Sequence, residues 1–195
     1  GDTDAAARVV AQTLQETLGQ NVVVENRAGA GGMLAAQAVA RATPDGYTLL
    51  LTTNSTHSVV YGLYKSVPYD PIKSFAPIIE VTRGPFILTV KPSLGVKNLR
   101  DVIELARKNP GKLSYSSSGI GSVFHLTGEL LKQSAGIDMV HVPYKNGAQV
   151  LTDLVGGQIP LAIVSLSPLV AQVRAGKLKL LAMVTSQRFR VFPDV

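Results

Sequence analysis

The chain contains no cysteine and no tryptophan, and only 6% of its residues are aromatic. Without cysteine there are no disulfides, thiolate zinc sites or cysteine nucleophiles, although the compartment stays open. With so few aromatics, there is little to stack the bases of single-stranded nucleic acid. Acidic residues are the minority sign, 13 Asp+Glu against 19 Lys+Arg, for a formal charge of +6. That balance favours an anionic partner without choosing among nucleic acid, phosphate, lipid and small carboxylates. No apolar run approaches the roughly 20 residues that cross a bilayer. No secretory leader precedes Gly1, so the chain is expected to be a processed or trimmed product. What is present suits a packed core: 46% hydrophobic and 16% charged residues over 195 positions, one large domain or two small α/β lobes.

Helical and strand-like patterns alternate along the chain. Ala6, Val9, Val10, Thr13, Leu14 and Leu18 form one helical stripe, with Asp2, Thr3 and Asp4 as N-cap or first-turn residues. Val22–Val24 reads as a strand, Met33–Arg41 as an Ala-rich helix, Tyr47–Thr52 as a strand, and the polar Thr53–Ser58 as the start of a short helix to Tyr64. Pro68, Pro71 and Pro77 exclude long helices from 65 to 77. Ile78–Thr82 and Phe86–Val90 read as strands, and Lys91-Pro92-Ser93 as a crossover between lobes. Alternation then resumes. Helices are expected at Leu99–Ala106, Ser122–Ser134, Ala148–Val155 and Ser167–Ala175, with strands at Leu113–Ser116, Met139–Val142, Ile159–Val164 and Leu178–Val184. Such alternation implies βαβ units and mostly parallel sheets.

Five segments are candidates for chemistry. Ser116–Ser122 (Ser-Ser-Ser-Gly-Ile-Gly-Ser) joins a strand to a helix. Its glycines let several N–H groups point into one concavity, and the helix adds its N-terminal partial charge, which suits a carboxylate or phosphate. An ordinary Ser/Gly strand-to-helix turn accounts for it equally well. Arg27–Gly32 partly matches G-x-G-x-x-G, but Leu34 holds the third glycine position and Asp45 lies in a Pro-Asp-Gly turn, so a tight structural loop is the better reading. Thr52–His57 sits at a strand's C-terminal end, where α/β sheets bind ligands. Its Asn54 or Ser55 equally suits an N-cap. Asp4, unsuited to touching an anion, is expected to cap its helix or order a loop. Tyr144 could bring a hydroxyl to a ligand or pack beneath it, Lys145 could attract an acid, His125 should pack or hydrogen-bond near its helix start, and His141 alternates within a strand. Neither G-x-S-x-G nor H-E-x-x-H occurs, and the three histidines lack metal-ligand spacing, so no catalytic, metal or cofactor residue is expected.

Several runs together resemble one family. They are Val22–Gly32 (VVVENRAGAGG), Pro44–Leu51 (PDGYTLLL), Tyr115–Leu126 (YSSSGIGSVFHL) and Val142–Ala148 (VPYKNGA), continued by Leu154–Gln158, Ala175–Lys179 and Arg190–Val195. These are similar to the Bug family, the extracytoplasmic solute receptors of tripartite tricarboxylate transporters. The resemblance implies a two-lobed, type II periplasmic binding protein of the α/β class, with mostly parallel sheets flanked by helices, and no enzyme. Its lobes are expected at 1–91 and 92–195, closing on a ligand about the Lys91–Ser93 crossover. It implies a small carboxylate held by backbone amides, hydroxyls and water, delivery to membrane permease subunits, and periplasmic localisation, with no nucleic acid and no membrane insertion. The ligand-binding residues implied are Asp4, Thr53, Asn54, Ser55 and His57 in the first lobe. In the second they are Ser117, Ser118, Gly119, Ile120, Gly121, Ser122, Tyr144, Asn146 and Ser165. Three departures stand out. The family's first strand and most of its glycine loop would lie before Gly1, and its return to the first lobe after Val195, so truncation at both ends is expected. The family often has Asp at the positions of Pro160 and Ser165, and Ser165 favours a plain carboxylate over an amino acid. The alternative is the effector-binding domain of a transcription regulator, which would need a DNA-binding segment upstream.

Overall fold

A run of seventeen residues free of proline and glycine, with Asp2 and Asp4 in its first turn, winds into α1 (Asp2–Leu18) in the computed structural model of the protein. Gly19, at φ 64°, ends it by returning its N–H to the Gln15 carbonyl. Residues 2–145, 147–185 and 188–195 are described, and the chain divides into two units, Gly1–Arg83 and Gly84–Val195.

The first unit continues with α2 (Met33–Ala40), a π-helical turn (Ser55–Val59) and α3 (Val60–Leu63). The strands expected at Val22–Val24, Tyr47–Thr52 and Ile78–Thr82 do not form among the described residues. Strand-forming residues become a strand only by hydrogen-bonding to a neighbour, and these segments have no paired neighbour. Several of their side chains stay open to solvent: Val23 is 86% exposed and Tyr47 92%. Of α1's apolar stripe, Val9 and Leu18 are exposed as well.

The second unit is built on one sheet. Its elements in order are β1 (Phe86–Val90), α4 (Leu99–Lys108), β2 (Ser114–Ser117), α5 (Val123–Ala135), β3 (Val140–Pro143), α6 (Gly147–Gly156), β4 (Leu161–Ser165), α7 (Val170–Arg174) and β5 (Lys179–Val184). The strand order is β3-β2-β4-β1-β5. β2 runs parallel to β3 and β4, while β1 runs antiparallel to β4 and β5. Four strands therefore share one direction, as βαβ connections require, and β1 alone opposes them, which makes the sheet mixed. Because β1 lies between β4 and β5, it belongs to this unit. The division accordingly falls after Arg83, ahead of the Lys91–Ser93 segment expected to mark it.

Side-chain alternation along the strands builds two cores, one on each sheet face. Leu88, Val90, Leu161, Ile163 and Tyr115 point to one face and meet Val102 and Ala106 of α4. Ile87, Ala162, Val164 and Leu180 point to the other and meet Val150 and Leu154 of α6 with Leu169. Asn98 caps α4, its side chain accepting from the Asp101 N–H at 3.0 Å, while the Asp101 carboxylate accepts from the Lys97 N–H at 2.6 Å.

Candidate functional site

β2, β3 and β4 are parallel, so their C-terminal ends lie on one edge of the sheet. Ser117 pairs with Pro143, and Ser165 closes β4. Ligands of α/β sheets sit outside such ends. Ser117–Ser122, Tyr144 and Ser165, picked out separately in the sequence, are thus collected at one edge.

The turn from β2 to α5 owes its shape to two glycines, Gly119 at φ 124° and Gly121 at φ 79°. A side chain at Gly119 would meet the Tyr144 carbonyl at 3.3 Å. Ser122 is the N-cap of α5: its Oγ accepts from the His125 N–H at 3.2 Å and donates to the Gly119 carbonyl at 2.8 Å. Ser117, fully buried, also donates to the Gly119 carbonyl (3.2 Å) and lies 2.7 Å from His141 Nε2. The Ser117 and Ser122 hydroxyls therefore hold the turn together. The amides of Gly119, Gly121 and Ser122 are used inside it as well. Those of Ser118 and Ile120 have no partner among the described residues, and Ile120 is 70% exposed. No acidic side chain lies between Ser116 and Ser122. The turn is thus both a satisfied N-cap and a pair of amides with no partner among the described residues, at the positive end of a thirteen-residue helix.

Beneath the turn is a stack that sequence reasoning missed. The His125 and His141 rings lie 4.2 Å apart between centroids, and His141 lies 4.9 Å from Tyr115. The Tyr115 hydroxyl donates to Glu129 Oε1 at 2.7 Å, and Lys132 pairs with the same carboxylate at 3.1 Å. Burial, then the nearby His125, holds His141 down at about 4. Burial and the Glu129 carboxylate raise the Tyr115 hydroxyl far above its usual value. The signal for His125 was present, since it falls three residues after the Ser122 cap, the capping-box spacing. His141 reaches Ser117 across 24 positions of sequence, which no local pattern reveals.

Tyr144 packs with the α6 core, and its hydroxyl donates to Asp153 at 2.8 Å. Burial and that carboxylate push it up to about 12. Of the two readings open for Tyr144, the structure places the side chain in the packed one. Asn146 lies outside the described residues.

In the first unit, Asp4 orders a loop, as its chemistry implies. One carboxylate oxygen accepts from Asn26 at 2.6 Å and the other from Arg8 at 3.1 Å, and these hydrogen bonds hold its pKa below the usual range. Thr53 and Asn54 are exposed at the start of the π-helical turn, Ser55 is buried, and Asn54 makes no side-chain cap. His57 Nδ1 lies 3.1 Å from Thr52 Oγ1 with its ring against Phe75, and burial lowers its pKa. The Gly29–Gly32 loop is a structural turn. All four residues have positive φ, the Thr56 hydroxyl donates to the Gly31 carbonyl at 3.0 Å, and Gly32 lies too close to Thr56 Oγ1 for any side chain. Among the described residues, no group of three or more His, Asp or Glu could hold a metal ion, and no helix is long and apolar enough to cross a membrane.

Comparison with known proteins gives a consistent result. The sequence profile of the "Tripartite tricarboxylate transporter family receptor" matches residues 6–195. A UPF0065 protein of Bordetella pertussis is 39% identical over all of this chain and 60% of its own length. Protein BugT of the same organism is 37% identical, again over all of this chain and 60% of its own length. The chain therefore spans about three-fifths of these relatives. Among solved structures, R. palustris Rpa4515 with adipate superposes with a TM-score of 0.93 at 38% identity, covering 100% of this chain and 65% of that one. MatC from Rhodopseudomonas palustris with bound malate gives 0.89 at 33%, covering 99% and 66%. The periplasmic binding protein BugD gives 0.87 at 35%, covering 100% and 65%.

Proposed function

Because this chain belongs to the tripartite tricarboxylate transporter receptor family, a family of solute-binding receptors rather than enzymes, we propose that its protein is a periplasmic receptor for a small organic carboxylate. It releases the acid chemically unchanged to the membrane subunits of a tripartite tricarboxylate transporter. The observation that carries this reading is the β2–α5 turn. It combines unpartnered amides at Ser118 and Ile120, the positive end of α5 and an absence of negative side chains between Ser116 and Ser122, at the sheet edge where α/β proteins take their ligands. Hydrogen bonds from amides to a carboxylate are charge-assisted, each contributing roughly 1.5–3 kcal/mol. The adipate and malate held by two of the similar structures belong to this chemistry, so a dicarboxylate is the ligand class proposed.

In this reading the turn's backbone makes the main contact through the amides of Ser118 and Ile120, with Gly119 shaping the turn between them. Ser117, Gly121 and Ser122 hold its shape, Tyr144 packs beneath it, and Ser165 stands at the end of the neighbouring strand. Thr53 and Asn54 are exposed polar groups of the first unit. Isothermal calorimetry of the full-length protein against adipate, malate and longer and shorter acids tests the reading. It expects saturable heat with at least one acid, and no heat with any of them would refute it.

A further inference from the structure

Helices α4 and α5 are capped by the same reciprocal device with different chemistry. In α4 the third helical residue, Asp101, accepts the amide of Lys97, the residue before the cap. In α5 the third helical residue is His125, and its Nδ1 accepts the amide of Gly121, the residue before the cap, at 3.3 Å. An acidic side chain is the usual partner at this position, since it also suits the positive helix end. At α5 it would place a negative charge against the turn that is to receive an acid. Imidazole accepting through Nδ1 makes the same hydrogen bond without that charge, with its proton on Nε2. α5 carries one carboxylate, Glu129, and its charge is countered locally. His141, stacked on His125, is uncharged at neutral pH, and Glu129, one turn further along α5, is engaged by the Tyr115 hydroxyl and Lys132.

We propose that His125 is a positioning and charge-selecting residue of the carboxylate site: it fixes the Gly121 amide, and so the turn, as Asp101 fixes Lys97, while leaving the α5 N-terminus free of negative charge. The proposal rests on the receptor reading above and assigns His125 no contact with the ligand.

Calorimetry of the full-length protein with adipate and malate, alongside thermal melts, tests it through three variants. His125→Gln retains a neutral acceptor and should bind within about threefold of the parent. His125→Ala leaves the Gly121 amide without its acceptor and should bind roughly tenfold more weakly. His125→Glu keeps the acceptor and should melt no lower than His125→Gln, yet bind at least tenfold more weakly, because a charge a few ångströms from the acid opposes it. That opposition of melting and affinity is what a purely structural role would not produce. Parental affinity in His125→Glu would overturn the proposal. Should that variant fail to fold, His125→Gln decides: a tenfold loss overturns the proposal, and parental affinity alongside a weakened His125→Ala upholds it. A parent that binds neither adipate nor malate nor any other acid instead refutes the receptor reading itself.

Discussion

Replacing Gly128 by alanine sets two effects of opposite sign against each other. Gly128 is buried within α5, away from both helix ends, where alanine is intrinsically better by up to about 1 kcal/mol. Its open side, however, faces the fully buried ring of Tyr115. An added Cβ would fall within contact of ring carbons Cε2 and Cζ and 2.7 Å from the hydroxyl oxygen. Tyr115 is held from its other side by His141 and by its hydrogen bond to Glu129, so the ring cannot turn away without losing both. Overpacking of this kind costs about 1–3 kcal/mol, and separating the hydroxyl from a carboxylate costs roughly 1.5–3 kcal/mol more. Set against the helix gain, Gly128→Ala should destabilise the protein by about 1.5–5 kcal/mol. Urea unfolding followed by circular dichroism reads this as a lower midpoint at unchanged slope. A variant as stable as the parent would refute the close packing of α5 on β2, and with it the stack proposed to support the turn.

Two further predictions concern His141 beside Tyr115 and Gly32 beside Thr56. Free His141 takes up a proton near 6.5, but the folded protein does so only near 4; its contribution is therefore complete above pH 6.5 and is lost as pH falls towards 4. Allowing for the ring's partial exposure, the loss is about 1–2 kcal/mol, and His141→Gln should show a smaller drop in urea midpoint between pH 7 and 4.5 than the parent, equal drops being the contrary result. In the first unit, Gly32→Ala must force a φ of 93° on a residue with a side chain and press it against Thr56, so thermal melting should fall by several degrees, and an unchanged melt would contradict the described loop.

The second unit was legible because its strand-like runs find partners inside it. Leu113–Ser116, Ile159–Val164 and Leu178–Val184 all become strands within a residue or two of their expected ends. Val22–Val24 and Tyr47–Thr52 carry the same β-branched and aromatic signal without pairing, which shows that a strand is a property of two segments rather than one. The reversed β1 was illegible for a related reason. Phe86 pairs with Ser165, 79 positions away, and with Val184, 98 positions away, so the strand's register is set by distant residues. At the candidate site, the Ser/Gly turn announced itself through local residue chemistry, and its capping by Ser122 could be read from the helix start. The Ser117–His141 and Tyr115–Glu129 bonds could not, because one joins β2 to β3 across the α5 crossover and the other depends on how α5 packs back on β2, 14 positions away.

The central claim is that main-chain amides of the β2–α5 turn grip the acid. Nuclear magnetic resonance of nitrogen-labelled full-length protein, titrated with adipate or malate, tests it most directly. The account predicts that the Ser118 and Ile120 amide signals move progressively and saturate together with the calorimetric isotherm. Saturable binding that leaves both signals where they were would contradict it.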